Sequence, residues 1–225
     1  MSAVVICTKN ATCLPVMAAS ITFYLPQFFD VYISGSDIVL PRHRTINSTN
    51  EHTNFGDAYN AVVNQVWDDG HADVIVANDD IVLTPYTWQM MKEDLSVLDK
   101  PGWVGARADY ARGWQNIRHR HATDRPGVIR FDSESKVIEV PVIAPYFAYI
   151  SKESWVDFPP INWYSDDIQC RDISENGYKH YISRAYVHHV GSQTCGLDYQ
   201  KCMEDARPWI EANRPELAKV WFKTS

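Results

Sequence analysis

Four polar clusters carry residue types that can do chemistry: Thr8, Lys9 and Asn10; Asn78, Asp79 and Asp80; Asp166 and Asp167; His188 and His189. The second interrupts an apolar run, VIVANDDIVLTP at 74–85, that otherwise reads as buried strand. Adjacent carboxylates repel by about 1 kcal/mol in water and about 4 kcal/mol at the effective dielectric of a protein surface. Fixing them at the end of a core element therefore calls for a cation. A carboxylate, a histidine and a diphosphate's oxygens form a coordination set for a hard divalent ion such as Mg²⁺ or Mn²⁺. In an extended chain Asn78 and Asp80 share a face and Asp79 points away, whereas a plain turn would use the same residue types. Asp166 and Asp167, after Ser165, have the composition of a helix start, where acids are favoured. A carboxylate held there is also placed to act as a general base. Adjacent strand residues face opposite ways, so only one of His188 and His189 can reach a shared metal. A buried, hydrogen-bonded imidazole is the ordinary alternative for either.

The elements that must position these clusters alternate in type. AVVIC (3–7) and VYISGSD (31–37) read as strands, with PVMAASITFYLPQF between them of helical spacing. In NFGDAYNAVVNQVWDDG (54–70), Ala58, Val62, Val63 and Val66 recur at helical intervals and Gly70 ends the helix. ADVIVA resumes strand character, YTWQMMKEDLSVLD (86–99) reads as helix, GWVGARA as strand and VIEVPVIAPYFAYIS as strands interrupted by proline. DDIQCRDISENGY is a helix stopped by Gly177, HYISRAYVHH is a strand, and the tail 199–225 is helical, divided by Pro208 and Pro215. Strands alternating with helices predict one α/β domain over 1–225 with a mostly parallel sheet, and such sheets bind ligands beyond the carboxyl ends of their strands. The clusters at 8–10, 78–80 and 188–189 each follow an apolar run, so they should converge on one rim.

The composition, 45% apolar and 12% aromatic, is that of a globular protein. The longest apolar stretches, such as YFAYI (146–150), fall far short of a membrane span. The N-terminus lacks the pattern of an export signal, so a soluble, cytoplasmic protein is expected. Five cysteines without a CxxC pair signal neither a disulfide framework nor zinc. A net charge of −7 opposes nucleic-acid binding over the whole surface. It does not oppose a local site. The segment 106–130, ARADYARGWQNIRHRHATDRPGVIR, holds six arginines against two aspartates, with Tyr110 and Trp114 interleaved. Arginines grip phosphates and aromatics stack on bases, so Arg112, Trp114, Arg118 and Arg120 are candidate acceptor contacts for a nucleic acid. A clamp on a diphosphate or an anionic glycan would use the same chemistry.

The order of these signals resembles that of family 2 glycosyltransferases, nucleotide-sugar-dependent enzymes with the GT-A fold. VVICTKN resembles their opening VVIPTYN, TNFGDAYNAVV their NxGfaxAxN helix start, and VANDDIVLTP their metal-binding DxD segment. IAPYFAYISKESW (143–155) resembles the acceptor floor, WYSDDIQCRDISENGYKH the acidic-pair helix, and AYVHHVGS the closing vxHxgS. The resemblance spans about residues 3–194 and implies a GT-A (Rossmann-like) mixed sheet flanked by helices. It implies Asp80 and His189 at the metal, and Asp167 as the base with Asp166 holding the acceptor or orienting the loop. Thr8, Lys9, Asn10, Asp37, Asn54, Asn78 and Asp79 would border the donor. Apart from the resemblance, Trp163 and Tyr164, just before the acids, are aromatics of the type that stacks on an acceptor sugar ring or else forms a core pair. Two features depart from the family: its second strand usually ends in Asp, where this chain has Ser34, Gly35 and Ser36 before Asp37, and Arg171 lies off the register of the family's helix arginine.

These readings lead to an inverting, metal-dependent glycosyltransferase using Mn²⁺ or Mg²⁺. A hydroxymethylated base in phage-type DNA is one acceptor, and a saccharide or small molecule the other. A nucleotidyltransferase is a rival, though no glycine-rich phosphate loop stands near residue 8. A non-catalytic nucleic-acid or glycan-binding module on the same fold is the second rival.

Overall fold

The computed structural model describes residues 2–111, 113–117, 136–191 and 199–222. The β-branched N-terminal run forms β1 (Ser2–Cys7), flanked on one side by β2 (Asp30–Ser34) and then β3 (Arg44–Ser48), and on the other by β4 (Asp73–Ala77), all parallel. The remaining strands are β5 (Ile81–Leu83), β6 (Pro101–Ala108), β7 (Ile138–Val140), β8 (Phe147–Ser151) and β9 (Lys179–His189). They form one sheet in the order β3-β2-β1-β4-β8-β6-β9-β5, with β7 also on β9. Six of its nine strands run one way (β1 to β4, β6, β9), and β5, β7 and β8 run against them. The expected mixed, mostly parallel α/β sheet is the one observed.

Alternate residues of β1 feed two cores, as pleating requires. Val4 and Ile6 pack with α1 (Leu14–Tyr24) and, further along, α3 (Thr87–Leu95); Ala3 and Val5 pack with α2 (Phe55–Asp68) and α4 (Ser165–Glu175). The stripe Ala58, Val62, Val63 and Val66 is buried in the second core, as its spacing predicts. A third, smaller cluster joins α5 (Tyr199–Asn213) and α6 (Pro215–Trp221) to Ile161 and Ile168 at the start of α4. Pro215 opens α6 as expected, but Pro208 lies inside α5 and does not divide the tail there. A proline within a helix removes one backbone donor, and burial of Ala206 and Ile210 on either side holds this turn in place.

One geometric consequence sets up the site. Four strand spacings separate β4 from β5, about 19 Å in a flat sheet at about 4.8 Å each. The four Cα–Cα steps from Ala77 to Ile81 span at most about 15 Å. The sheet must therefore curl over at this end. Register shifts between β6 and β9, at Pro101/Val104 and Gly105/Arg107, supply the bend. The short link 78–80 is thus drawn across the carboxyl-end rim to the end of β9, where Ile81 pairs with His189. Among the described residues, no helix is long and apolar enough to cross a membrane.

Candidate active site

Three of the expected clusters meet on this rim. Thr8, just past β1, is buried and donates its hydroxyl to Asp79 Oδ2 at 2.5 Å. Burial holds the Asp79 carboxyl above its usual range; the Thr8 bond works against that shift and the charge of Asp80 adds to it. The alternation expected for an extended chain does not apply, because Asp79 and Asp80 form a turn. Asp79 faces β1 and Asp80 faces β9. Asn78 is half-buried and its N–H donates to Tyr146 O at 2.9 Å.

Asp80 is 4% exposed. Its Oδ2 accepts the Gly191 N–H at 2.9 Å, and its backbone carbonyl accepts the Val190 N–H at 3.0 Å. Its Oδ1 lies 3.2 Å from His189 Nε2, yet the contact lacks hydrogen-bond geometry and, among the described residues, Oδ1 has no donor. The reason lies on the far side of the ring. His189 Nδ1 is 2.6 Å from Tyr110 O, a group that can only accept, so Nδ1 carries the proton. In the neutral ring Nε2 then presents a lone pair beside the buried oxygen. A histidine nitrogen and a carboxylate oxygen side by side in a buried place are ligand types that suit a cation. Neighbouring ligands of an octahedral ion with bonds of about 2.1 Å lie about 3.0 Å apart, close to the 3.2 Å seen. Among the described residues no cluster of three or more His, Cys, Asp or Glu side chains could hold a metal, so Asp80 and His189 stand as two candidate ligands.

The surroundings hold this pair rigidly. Tyr146 stacks on the His189 ring at 4.8 Å between centroids and anchors its own hydroxyl on Ala106 O at 2.7 Å. Gly191 has φ +75°, and a Cβ there would come 1.9 Å from the Tyr110 ring, so only glycine brings its N–H to Asp80. Gly35, at φ +95°, likewise lets the end of β2 pass against Thr8 O, 2.1 Å from where a Cβ would stand. His188 points elsewhere, its Nδ1 2.5 Å from Asp109 Oδ2.

The remaining donor candidates line the same edge. Lys9 Nζ donates to Thr53 O at 2.8 Å, Asn10 Oδ1 accepts from Thr12 Oγ1 at 2.6 Å, and Asp37 is exposed after β2. Asn54 caps α2, accepting the Asp57 N–H at 2.8 Å and donating to the Asp57 carboxylate at 2.7 Å. The next residue, Phe55, donates its N–H to Asn162 Oδ1 at 2.8 Å. That bond ties the start of α2 to the loop that leads into α4.

Asp166 and Asp167 occupy the first turn of α4, half-buried, and the Asp167 N–H donates to Asp166 Oδ1 at 3.1 Å. The preceding Tyr164 has φ +65°, a left-handed conformation uncommon outside glycine. Its ring stacks on Trp221 of α6 at 4.5 Å and 12°, and Trp163 packs edge-on to it. Both aromatics thus sit against the tail helices at the entrance to the acidic turn. Trp114, in a short 3-10 turn, is 67% exposed. Arg107 spends its guanidinium on Ser183 O and Lys136 O. Arg112, Arg118 and Arg120 lie outside the described residues.

Sequence reasoning passed over Asp109, Tyr110, Tyr146 and Gly191 as parts of this site. Asp109 and Tyr110 follow the apolar run of β6, so the same carboxyl-end rule would have found them.

No family model and no curated protein matches the chain. Its fold is that of GT-A glycosyltransferases. Similar solved structures are S. aureus TarS 1–349 in complex with UDP-GlcNAc (TM-score 0.61, 13% identity, 92% of this chain and 64% of that one), the mannosyltransferase PcManGT from Pyrobaculum calidifontis with GDP-Man and Mn²⁺ (0.63, 12%, 100% and 65%), and GalNAc-T7 with UDP, GalNAc and Mn²⁺ (0.64, 13%, 98% and 51%). The chain thus spans between 51% and 65% of the lengths of these three.

Proposed function

We propose that this protein is a metal-dependent glycosyltransferase that moves a sugar from a nucleotide-sugar donor to a hydroxyl acceptor. The observation that carries the reading is the donorless Asp80 Oδ1 beside His189 Nε2 on the carboxyl-end rim of a GT-A sheet. The Mn²⁺ in two of the similar structures agrees with it. Asp80 and His189 would hold Mn²⁺ or Mg²⁺, which when bound neutralises charge on the leaving diphosphate. Thr8, Asp79 and Asn78 would border the nucleotide, with Lys9, Asn10, Asp37 and Asn54 along the same edge.

Asp167 takes the proton of the acceptor hydroxyl as its oxygen bonds to the anomeric carbon. The bond from that carbon to the diphosphate breaks, the electron pair leaves with the nucleoside diphosphate, and the sugar is inverted. Asp166 keeps the turn in place by accepting the Asp167 N–H. The left-handed Tyr164, clamped by Trp221, fixes where this turn begins. For the acceptor, the arginines of 106–130 support a polyanion, and a hydroxymethylated base in DNA is the first to try, ahead of saccharides and small molecules.

The test is a thermal-shift and calorimetric screen of UDP-, GDP-, ADP- and CDP-linked sugars, each with Mn²⁺, Mg²⁺ or EDTA, on wild type and Asp80→Ala. Metal-dependent stabilisation by one donor, lost in the variant, is expected. No response to any donor by folded protein, with the variant indistinguishable, would leave 78–80 a simple turn and the chain a binding module.

A further inference from the structure

We infer that Asp109, a buried acid just past β6, is a positioning residue for the metal ligand His189, and that with the adjoining Tyr110 carbonyl it presets His189 to receive a metal. The inference rests on the proposed metal site and deepens it. The last paired residues of β6 and β9 are Ala108 and Val187. Beyond them the Asp109 side chain carries the contact on: Oδ1 accepts the His189 N–H at 3.0 Å, and Oδ2 meets His188 Nδ1 at 2.5 Å. One carboxylate thus grips two consecutive residues on the β6 side of the strand's end, while β5 pairs with them on the other. Asp109 is 7% exposed, so its bond to the buried His189 is little weakened by water.

The next residue completes the device. Tyr110 O accepts from His189 Nδ1 at 2.6 Å, and the Tyr110 ring lies edge-on to the imidazole at 6.2 Å. Backbone and ring of His189 are therefore both fixed from one dipeptide. The backbone bond sets where the ring starts, and the carbonyl sets which nitrogen keeps the proton. Nε2 is left as the nitrogen that faces Asp80 before any metal arrives. Partners of this kind fix ring orientation and tautomer at metal sites, and their loss typically costs 10–100-fold in metal affinity.

The test uses two readouts on wild type, Asp109→Ala and Asp109→Asn. Binding of Mn²⁺ alone is followed by the electron paramagnetic resonance of the free ion. The His189 tautomer is followed, without metal and at fixed pH, by ¹⁵N chemical shifts in histidine-labelled protein, with His189→Gln to assign the signal. Asp109→Ala should weaken Mn²⁺ binding about 10–100-fold and mix the tautomers. Asp109→Asn, which keeps one acceptor for the His189 N–H, should lose several-fold and carries the test if the alanine variant does not fold. Wild-type affinity and a single Nδ1–H tautomer in whichever variant folds would overturn the inference while leaving the metal site standing. Wild type that binds no Mn²⁺, either alone or with the nucleotide sugar that stabilises it, would overturn both, even with the tautomer as described.

Discussion

Two histidine–aspartate pairs lie at opposite ends of the sheet at nearly the same separation: His189 and Asp80 at 3.2 Å, His71 and Asp30 at 3.3 Å. Both histidines are buried. At the amino-end rim the contacts around His71 and Asp30 are complementary. Asp30 also receives Arg44 at 2.9 Å, and Tyr32 donates its hydroxyl to Asp69 at 2.7 Å while lying 3.3 Å from His71 Nε2. Burial and the bond to Asp69 hold the Tyr32 phenol protonated well above its usual range. At the carboxyl-end rim the same two residue types leave a carboxylate oxygen without a donor. Residue type and distance therefore do not mark a site, and neither does an orphaned buried atom alone, since Asp73 Oδ1 at the amino end of β4 is orphaned as well; what sets Asp80 apart is that its orphaned oxygen faces a histidine nitrogen on the carboxyl-end rim.

Paired substitutions can break this comparison. Asp80→Ala should reduce turnover by roughly 10³-fold or more, because a metal contributes several kcal/mol to the transition state, and should abolish metal-dependent donor binding. Asp30→Ala should leave donor binding intact and cost about 1–3 kcal/mol of stability, read from denaturant unfolding. Equal damage to donor binding from both would erase the distinction. Asp167→Asn should lower turnover about 10²–10⁴-fold while the donor still binds by calorimetry. Lost donor binding would move Asp167 out of the base's role. Gly191→Ala should cost about 1–3 kcal/mol through strain and overpacking against Tyr110, and should weaken Mn²⁺ binding as well. A melting temperature within a degree of wild type would show that Tyr110 moves aside freely.

Much of the scaffold was legible because its signals are local. The α2 stripe, the β-branched runs of β1 and β4 and the glycine stops follow from spacing and turn chemistry. β3 was missed: RTINS offers Ile46 as its one apolar residue, and its pairing with β2 is a tertiary fact. The convergence of residues 8, 79, 80 and 189 was readable from the carboxyl-end rule, but its detail was not. The turn at 79–80 is the alternative that its residue types offered, but the opposite aims of the two acids depend on the curl of β6 and β9, which no local pattern encodes. The grip of Asp109 on His189 joins residues 80 apart in sequence. Pro208 shows the reverse error, where burial of its neighbours outweighs a strong local breaker.

The most direct measurement is the unfolding midpoint of wild type and Asp80→Asn, in EDTA and in Mn²⁺ with the stabilising nucleotide sugar. If Asp80 Oδ1 and His189 Nε2 are two bare acceptors awaiting a metal, an amide at position 80 can donate to that nitrogen while its oxygen keeps the Gly191 N–H. The metal-free variant should then be more stable than wild type by about 1 kcal/mol, and the order should reverse when metal and donor are present. A variant that is less stable in EDTA, with both proteins responding alike to metal and donor, would contradict the account.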